Sequence, residues 1–244
     1  MKIYRAVLFD LFGTVALFER DRLPLFEWDG QTSRSTMGRL RLIYEAKVPD
    51  VSFAQFFSAL SEVSREFGEE RSRSLREIPS LQRFSQTLLR AGFASIPSTY
   101  QLAQELSLAH MDILSQATSV PDEHVDFLQQ VRQRYLTALV SNFDHGPTAR
   151  QVLARSGADR HFQQIVVSDE HGWRKPHPRI FSDALTALGV QPEEALFVGD
   201  SPHDDIQGAK ATGMDIAWVN AEGGSLPDDV PPPDYVIRAI PELQ

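Results

Sequence analysis

Residues 3–14 read IYRAVLFDLFGT, and this stretch decides the fold. Its first part, Ile3–Phe9, is a short and mostly apolar run without strict alternation, which is typical of a strand buried on both faces of a parallel sheet. Asp10 follows this run directly. Because ligands in an open parallel sheet collect at the carboxyl ends of the strands, Asp10 is the first candidate for chemistry.

Five later runs have the same character as the first. They are Leu136–Val140, Gln164–Val167, Ala195–Val198, Asp215–Val219 and Tyr235–Ile237. Helical stretches separate most of them, namely Pro121–Arg134, Gly146–Ser156, Pro178–Leu188 and Asp204–Thr212. This alternation predicts the α/β class, with a doubly wound, Rossmann-like parallel sheet.

The first strand is separated from the second by about 125 residues, far more than one crossover helix needs. Within this gap, residues near 34–66 and 71–117 read as helical, with phenylalanines at helix-face spacing in the first segment. We therefore predict two domains. Residues 1–16 and 119–244 would form the α/β core, and residues 17–118 would form an inserted helical cap domain.

Composition removes several classes of function. The 244 residues include no cysteine, which excludes disulfides and thiolate chemistry. A net charge of −9 makes nucleic acid an improbable partner. The apolar stretch from Ala6 to Phe18 is interrupted by Asp10 and Gly13 and is too short to span a membrane. We expect a cytoplasmic protein that acts on a small molecule, with no membrane partner.

Polar side chains cluster after several of the predicted strands. They are Asp10, the pair Ser141-Asn142, Lys175, and the group Asp200, Asp204 and Asp205. A single Asp after a strand is ordinary in a turn or helix cap. Their repeated occurrence at one sheet edge indicates a site.

The predicted site suits one hard cation and a phosphoryl group. Asp10 and Asp200, with a backbone carbonyl near Phe12, would hold Mg²⁺, which prefers oxygen ligands. The cation, Lys175 and the Ser141 hydroxyl would offset charge on the transferring group.

Asp10 is also the candidate nucleophile, which would form a covalent acyl-phosphate. Gly13 permits an unusual backbone angle beside it. Thr14 adds a hydroxyl and a backbone N–H.

Four ordered motifs contain these residues. They are VLFDLFGT (7–14), LVSN (139–142), GWRKPHPRIF (172–181) and VGDS (198–201), the last followed by Asp205. The set resembles the haloacid dehalogenase-like (HAD) hydrolase superfamily over residues 1–16 and about 120–240. The inserted segment occupies the place of that superfamily's helical cap.

The resemblance implies a role for each motif residue. Asp10 would be the nucleophile, Ser141 and Lys175 would bind the phosphoryl group, and Asp200 would ligate magnesium. Asp205 would support the metal shell or pair with Lys175. The candidate metal ligands are thus Asp10, Phe12 through its carbonyl, Asp200 and Asp205, and the candidate substrate-binding residues are Thr14, Asn142 and Arg41.

Phe12 departs from the pattern of the phosphatases in this superfamily. They usually carry a second aspartate at this place, which protonates the leaving group. Phe12 cannot supply a proton. His203, Asp144 and His145 are candidate replacements, each with an exposed loop position as the alternative explanation.

Phe12 leaves several functions open. A magnesium-dependent phosphatase is the main prediction. A 2-haloacid dehalogenase is the first alternative, because those enzymes carry an aromatic residue here and use an arginine such as Arg39 or Arg41. They need no magnesium, however, and generally lack an aspartate at the place of Asp200. Two further alternatives remain. One is a phosphonate hydrolase in which Lys47 forms an imine with the substrate, and the other is a catalytically weak binding domain.

Overall fold

The computed structural model describes residues 3–48 and 51–243. These residues divide into two compact units. The first, the core unit, comprises Met1–Phe18 and Ser119–Gln244, and the second, the inserted unit, comprises Glu19–Thr118.

The secondary structure follows the chain in this order. The strands are β1 (Ala6–Phe9), β2 (Leu17–Phe18), β3 (Leu25–Trp28), β4 (Gln31–Arg34), β5 (Thr118–Ser119), β6 (Leu136–Ser141), β7 (Gln164–Val167), β8 (Ala195–Gly199), β9 (Asp215–Val219) and β10 (Tyr235–Ile237). The α-helices are α1 (Met37–Lys47), α2 (Phe53–Ser74), α3 (Ser80–Arg90), α4 (Pro97–Gln116), α5 (Asp122–Arg132), α6 (Gly146–Ser156), α7 (Ser168–His171), α8 (Pro178–Leu188) and α9 (Gln207–Thr212).

The core unit contains a six-stranded sheet in the order β10-β9-β8-β1-β6-β7. All of its recorded pairings are parallel, and Phe9 at the end of β1 lies opposite Leu139 of β6 and Val198 of β8. The chain leaves β1 toward β6 and β7, then returns to β8 and moves the other way. The order therefore reverses between β1 and β8, the point where such sheets bind ligands.

Alternate residues of β1 pack on opposite faces of the sheet. Val7 and Phe9 join one apolar cluster with residues of α5 and α6, whereas Ala6 and Leu8 join a second cluster with residues of α8 and α9. Both faces are thus covered by helices, which explains the apolar runs in the sequence. The predicted doubly wound α/β fold is confirmed.

Several predicted elements differ from the structure. Strand β1 begins at Ala6, since Ile3 is 87% exposed and makes no ladder. The one-turn helix α7 was not expected. The helix predicted from Asp204 begins as a π-helical turn, Pro202–Ile206, which continues into α9.

The inserted unit packs α1 to α4 around its own apolar core. Its fully buried side chains include Tyr44, Phe56, Phe84, Leu88 and Leu106. The predicted helical stretches 34–66 and 71–117 are interrupted around residue 48, at residues 75–79 and at residues 91–96, and positions 49 and 50 lie outside the described residues.

The inserted unit is not purely helical, because β3 and β4 form an antiparallel hairpin. Its turn is Asp29-Gly30, and both residues have positive φ, at 50° and 72°. An Asp-Gly pair with this backbone is typical of a two-residue type I′ turn. The prediction of a helical insert over residues 17–118 therefore missed this hairpin.

Among the described residues, no helix combines the length and the apolar character needed to cross a bilayer.

Candidate active site

Three carboxylates meet at the carboxyl edge of the sheet. Asp10 follows β1, Asp200 follows β8, and Asp205 lies in the π-helical turn. Each offers an oxygen within 4.8 Å of the others. Asp10 is only 6% exposed and Asp205 is fully buried. Three like charges in so small a buried volume require positive charge nearby.

Lys175 supplies one positive charge to this carboxylate cluster. Its Nζ lies 2.6 Å from Asp10 Oδ1 and 2.6 Å from Asp205 Oδ1. The side chain is 2% exposed, and its Nζ also lies 5.3 Å from the centre of the Phe197 ring. With every carboxylate ionised, three negative charges face one positive charge, so the cluster keeps a net charge of −2.

The pKa values of the site residues reflect this excess of negative charge. Burial raises the pKa of Asp10 to about 8, Lys175 opposes that shift, and the neighbouring Asp205 and Asp200 add to it. Burial, with Asp205 adding to it, raises the pKa of Asp200 to about 6. Burial by itself lowers the pKa of Lys175, but Asp10 and Asp205 outweigh it and raise that pKa above its ordinary value. Lys175 is therefore a cation, and the carboxylates lack a further one.

The carboxylate cluster fits a divalent cation. A charge of +2 would balance the excess and lower the carboxylate pKa values again. The donor set is entirely oxygen, as Mg²⁺ prefers. Among the residues described, Asp10 and Asp200 provide the carboxylates, and the carbonyl of Phe12 follows Asp10 by two positions.

Two buried hydroxyls accompany the charged groups. Ser141, the last residue of β6, is 1% exposed, and Thr14 is fully buried. In the described part of the chain, neither the Ser141 Oγ nor the Thr14 Oγ1 has a hydrogen-bond partner. Buried hydroxyls without partners are costly, so an anionic ligand that accepts hydrogen bonds would satisfy them.

Gly13 lies where a side chain would collide with the site. Its φ is +83°, and a Cβ built there would come within 2.2 Å of Asp200 Oδ2. Gly199 is similar, since a Cβ there would come within 2.4 Å of Asp205 Oδ2. Both positions allow the backbone to approach the carboxylates as only glycine permits.

Asn142 was predicted to bind substrate, but its side chain is engaged with Lys175 and Asp204. Its Oδ1 accepts a hydrogen bond from Lys175 N at 2.7 Å, and its Nδ2 donates to Lys175 O at 3.0 Å. The same Nδ2 donates to Asp204 Oδ2 at 3.1 Å. Asn142 thus clamps the backbone that carries the Lys175 side chain, next to a cis Lys175-Pro176 bond.

Two positioning contacts were not expected from the sequence. Trp218 of β9 donates from Nε1 to the carbonyl of Asp200 at 2.9 Å. Ser201 donates from its backbone N–H to Asp205 Oδ2 at 2.9 Å. The GDS motif pointed toward Ser201, whereas nothing local marks Trp218, because its partner lies 18 residues earlier.

The side chain of Phe12, two residues after Asp10, is half-buried. It packs against Phe143, with ring centres 4.6 Å apart at 42°. Of the candidate proton donors, His203 contacts Asp229, with Nε2 and Oδ2 3.2 Å apart. His145 contacts Thr148 at the start of α6, with Nδ1 and Oγ1 2.8 Å apart. Asp144, which directly precedes His145, is half-buried.

Arg41 and Lys47 interact within the inserted unit. Arg41 donates from Nε to Glu45 Oε1 at 2.7 Å, and its guanidinium lies 5.8 Å from the Trp28 ring centre. Lys47 forms an ion pair with Glu105 and is 53% exposed.

Comparison with known proteins identifies one family and several relatives that are similar to this chain. A family model described as haloacid dehalogenase-like hydrolase matches residues 4–213. The chain is 35% identical over 127 residues to the glyceraldehyde 3-phosphate phosphatase of Pyrococcus furiosus, covering 51% of this chain and 52% of that protein. It is 39% identical over 103 residues to the phosphoserine phosphatase of Thermus thermophilus, covering 42% and 41%. The matches thus span about half or less of these curated relatives.

A solved structure of similar architecture is the 2-haloacid dehalogenase from Pseudomonas syringae pv. Tomato. The two superpose with a TM-score of 0.74 at 23% identity, covering 99% of this chain and 96% of that one. A likeness at this identity shows a shared fold and nothing more.

Proposed function

The chain belongs to the haloacid dehalogenase-like hydrolase family, and from that premise we propose that it is a magnesium-dependent phosphatase acting on a small phosphorylated metabolite. The observation that carries the proposal is the buried cluster of Asp10, Asp200 and Asp205, which has Lys175 as a cation and an excess of negative charge. The phosphatase names of the curated relatives support the same reaction.

Magnesium would be held by the carboxylates of Asp10 and Asp200 and by the carbonyl of Phe12, with Asp205 close by. When bound, it supplies positive charge to the phosphoryl oxygens and removes their repulsion from the carboxylates. A bound magnesium ion would therefore balance the excess negative charge of the carboxylate cluster.

Asp10 would be the nucleophile. One of its carboxylate oxygens attacks phosphorus, the bond from phosphorus to the ester oxygen breaks, and the alcohol leaves with the electron pair and takes up a proton. Water then attacks the acyl-phosphate, which releases phosphate and regenerates Asp10. Lys175 is protonated throughout, so it serves as a fixed charge rather than as the acid.

Ser141 and Thr14 would bind the phosphoryl oxygens. Their hydroxyls are buried without protein partners, and hydrogen bonds to an anion are stronger than those between neutral groups. Asn142 would act on this step indirectly, by holding the backbone of Lys175 in place.

The carboxylate pair argues against dehalogenation. A halide leaves without a proton, which suits Phe12, but that reaction requires no divalent cation. Burying Asp200 and Asp205 beside Asp10 would then destabilise the folded protein without contributing to catalysis. The phosphatase therefore accounts for more of the site.

A substrate panel tests the proposal. Phosphate release would be measured from p-nitrophenyl phosphate, glyceraldehyde 3-phosphate and phosphoserine, and halide release from 2-chloropropionate. Each assay would run once with magnesium on the order of millimolar and once in metal-free buffer.

We expect phosphate release that requires magnesium, no halide release, and loss of turnover by at least ~10³-fold in Asp10→Asn. Asp126→Asn, which changes an exposed carboxylate of α5, is the matched control and should retain activity. Halide release without metal would establish the dehalogenase instead, and absence of both products would favour a binding domain.

A further inference from the structure

A cavity lies at the edge of the core sheet opposite to Asp10. It has a volume of about 560 Å³ and is lined by Gln129, Arg132, Gln133, Arg160, His161 and Gln163. Arg132 ends α5 shortly before β6 begins, and Gln163 immediately precedes β7. Because parallel strands all begin at one edge, the cavity lies at the amino edge, whereas Asp10 follows the carboxyl end of β1. The two sites are therefore separate.

Two arginines bring positive charge to this cavity. Arg132 and Arg160 come from different elements, α5 and the 3₁₀ turn Ala158–His161. Neither forms an ion pair or a hydrogen bond through its guanidinium within residues 3–48 and 51–243. Both act on His161, whose pKa is lowered by burial and then by these two guanidinium groups. In a chain with a net charge of −9, such an unpaired basic cluster is unusual.

The remaining lining residues include amide groups that can donate hydrogen bonds. Gln163 uses its Oε1 to accept from Thr137 N and Thr137 Oγ1, both at 2.6 Å, which leaves its amide N–H groups available. His161 is only 6% exposed, and its Nε2 has no hydrogen-bond partner among the described residues. Buried imidazole nitrogens are ordinarily satisfied, so the Nε2 of His161 is a polar atom, on a residue that lines the cavity, which the described residues leave without a partner.

We propose that this cavity binds a small phosphate-bearing anion, such as diphosphate or a phosphorylated metabolite. Two guanidinium groups match the oxygens of phosphate in a bidentate way, and the amide N–H groups of Gln163 add neutral donors. The volume leaves room for an anion larger than orthophosphate, so diphosphate is a suitable probe. This inference goes beyond the proposed hydrolytic site and does not depend on it.

Calorimetric titration tests the proposal, with diphosphate as the probe and buffer stripped of metal by a chelating resin. Without a cation, the carboxylates of the Asp10 site repel a phosphate anion, so the cavity would be titrated alone. The test variant is Arg132→Gln with Arg160→Gln. The matched control is Arg134→Gln with Arg155→Gln, which removes the same charge from nearby exposed positions.

We expect one binding event in the wild-type protein and in the control, and affinity at least tenfold weaker in the test variant. Equal affinity in all three proteins, or no binding in the wild type, would overturn the proposal. Orthophosphate, diphosphate and a nucleoside diphosphate would be compared to separate free phosphate from an organic ligand. Sulfate at equal ionic strength should bind more weakly, and equal binding of sulfate would reduce the site to general charge attraction and contradict it.

A second readout keeps the test independent of the double variant. The charged groups acting on the His161 ring are Arg160 and Asp159 of its own turn and Arg132 of α5. An anion beside the arginines would relieve their repulsion of the imidazolium. The pKa of His161, followed by NMR, should therefore rise when diphosphate is added, and an unchanged pKa would place the anion elsewhere.

Discussion

At the scale of single residues, the site is dominated by charge that is buried and only partly balanced. Lys175 contacts both Asp10 and Asp205, and burial raises the pKa of Asp10 to about 8. Phe12, two residues after Asp10, packs its ring against Phe143. Each of these features leads to a prediction about one side chain.

Replacing Lys175 should destabilise the fold strongly. Lys175→Met leaves Asp10 and Asp205 buried without their cation, a change that costs about 3–5 kcal/mol in comparable buried pairs. Lys210→Met is the matched control, because Lys210 pairs with Asp234 at 2.7 Å while roughly 30% of each side chain is exposed; its loss should cost about 1 kcal/mol or less. Urea denaturation at pH 7 measures both, and equal losses would contradict the account.

Replacing Phe12 by aspartate should raise phosphatase turnover. Phe12→Asp would supply a proton to the leaving alcohol, and general acid catalysis contributes about 10²–10⁴-fold. The gain should be larger for alkyl phosphates than for p-nitrophenyl phosphate, whose leaving group needs little protonation. Turnover by initial phosphate release measures it. An unchanged rate for both classes would mean that another group already donates the proton.

At the scale of elements, the loop after β1 and the turn after β8 must approach each other closely. Gly13 has φ of +83° and faces Asp200, and Gly199 at the end of β8 faces Asp205. The π-helical turn Pro202–Ile206 then brings Asp205 back toward the strand ends. Such turns are frequent at functional sites, since the extra residue redirects a side chain.

Adding one methyl group at Gly13 should disrupt this approach. In Gly13→Ala, the new Cβ would lie 2.2 Å from Asp200 Oδ2. The alanine would also have to keep the positive φ of this position, which is strained for any residue with a side chain. Gly223→Ala is the control, because its φ is +72° but nothing lies within 4 Å of the added Cβ. The control should lose about 1 kcal/mol of stability and keep its activity. We expect Gly13→Ala to lose more stability and most turnover, and equal behaviour of the two variants would refute the steric argument.

At the scale of the whole molecule, the stability of the core unit depends on how the carboxylate cluster is neutralised. The cluster joins the ends of β1 and β8 with the π-helical turn, so its ionisation acts on the cooperative unfolding of the sheet. The pKa values of Asp10 and Asp200 are raised to about 8 and about 6. Protonation and cation binding are therefore two ways to relieve the same repulsion.

This coupling predicts a pH dependence in metal-free buffer. A carboxyl whose folded-state pKa lies above its unfolded value of about 3.9 favours folding at low pH, and that contribution is lost as the pH rises toward the folded-state pKa. The stability of the wild type relative to Asp10→Asn should therefore fall between about pH 4 and pH 8, by at most ~1.4 kcal/mol per pH unit from Asp10. Thermal unfolding across this range measures it.

Magnesium should reverse the trend, because it binds the ionised carboxylates of the folded state only. The wild type should gain thermal stability from magnesium at pH 8 and less at pH 5, and Asp10→Asn should gain less at both. A pH-independent difference between the two proteins, or no stabilisation by magnesium, would contradict the charge model of the cluster.

The amino-acid sequence by itself determined the α/β class and which residues follow the strands. Apolar runs separated by helical stretches require a sheet covered on both faces, and parallel strands must end at one edge. Asp10, Ser141 and Asp200 therefore come to the same edge from positions 59 to 190 residues apart in sequence. That much follows from local patterns, because burial periodicity and chain connectivity are local properties.

Only the tertiary structure decided which groups touch. The hydrogen bonds of Asn142 to the Lys175 backbone, the support of Asp200 by Trp218, and the cavity between Arg132 and Arg160 leave no local pattern in the chain. The β3–β4 hairpin likewise lies in a segment that its surroundings suggested was helical. The physical reason is that side-chain partners and burial depend on packing between distant segments, whereas sequence periodicity reports only the face on which a residue lies.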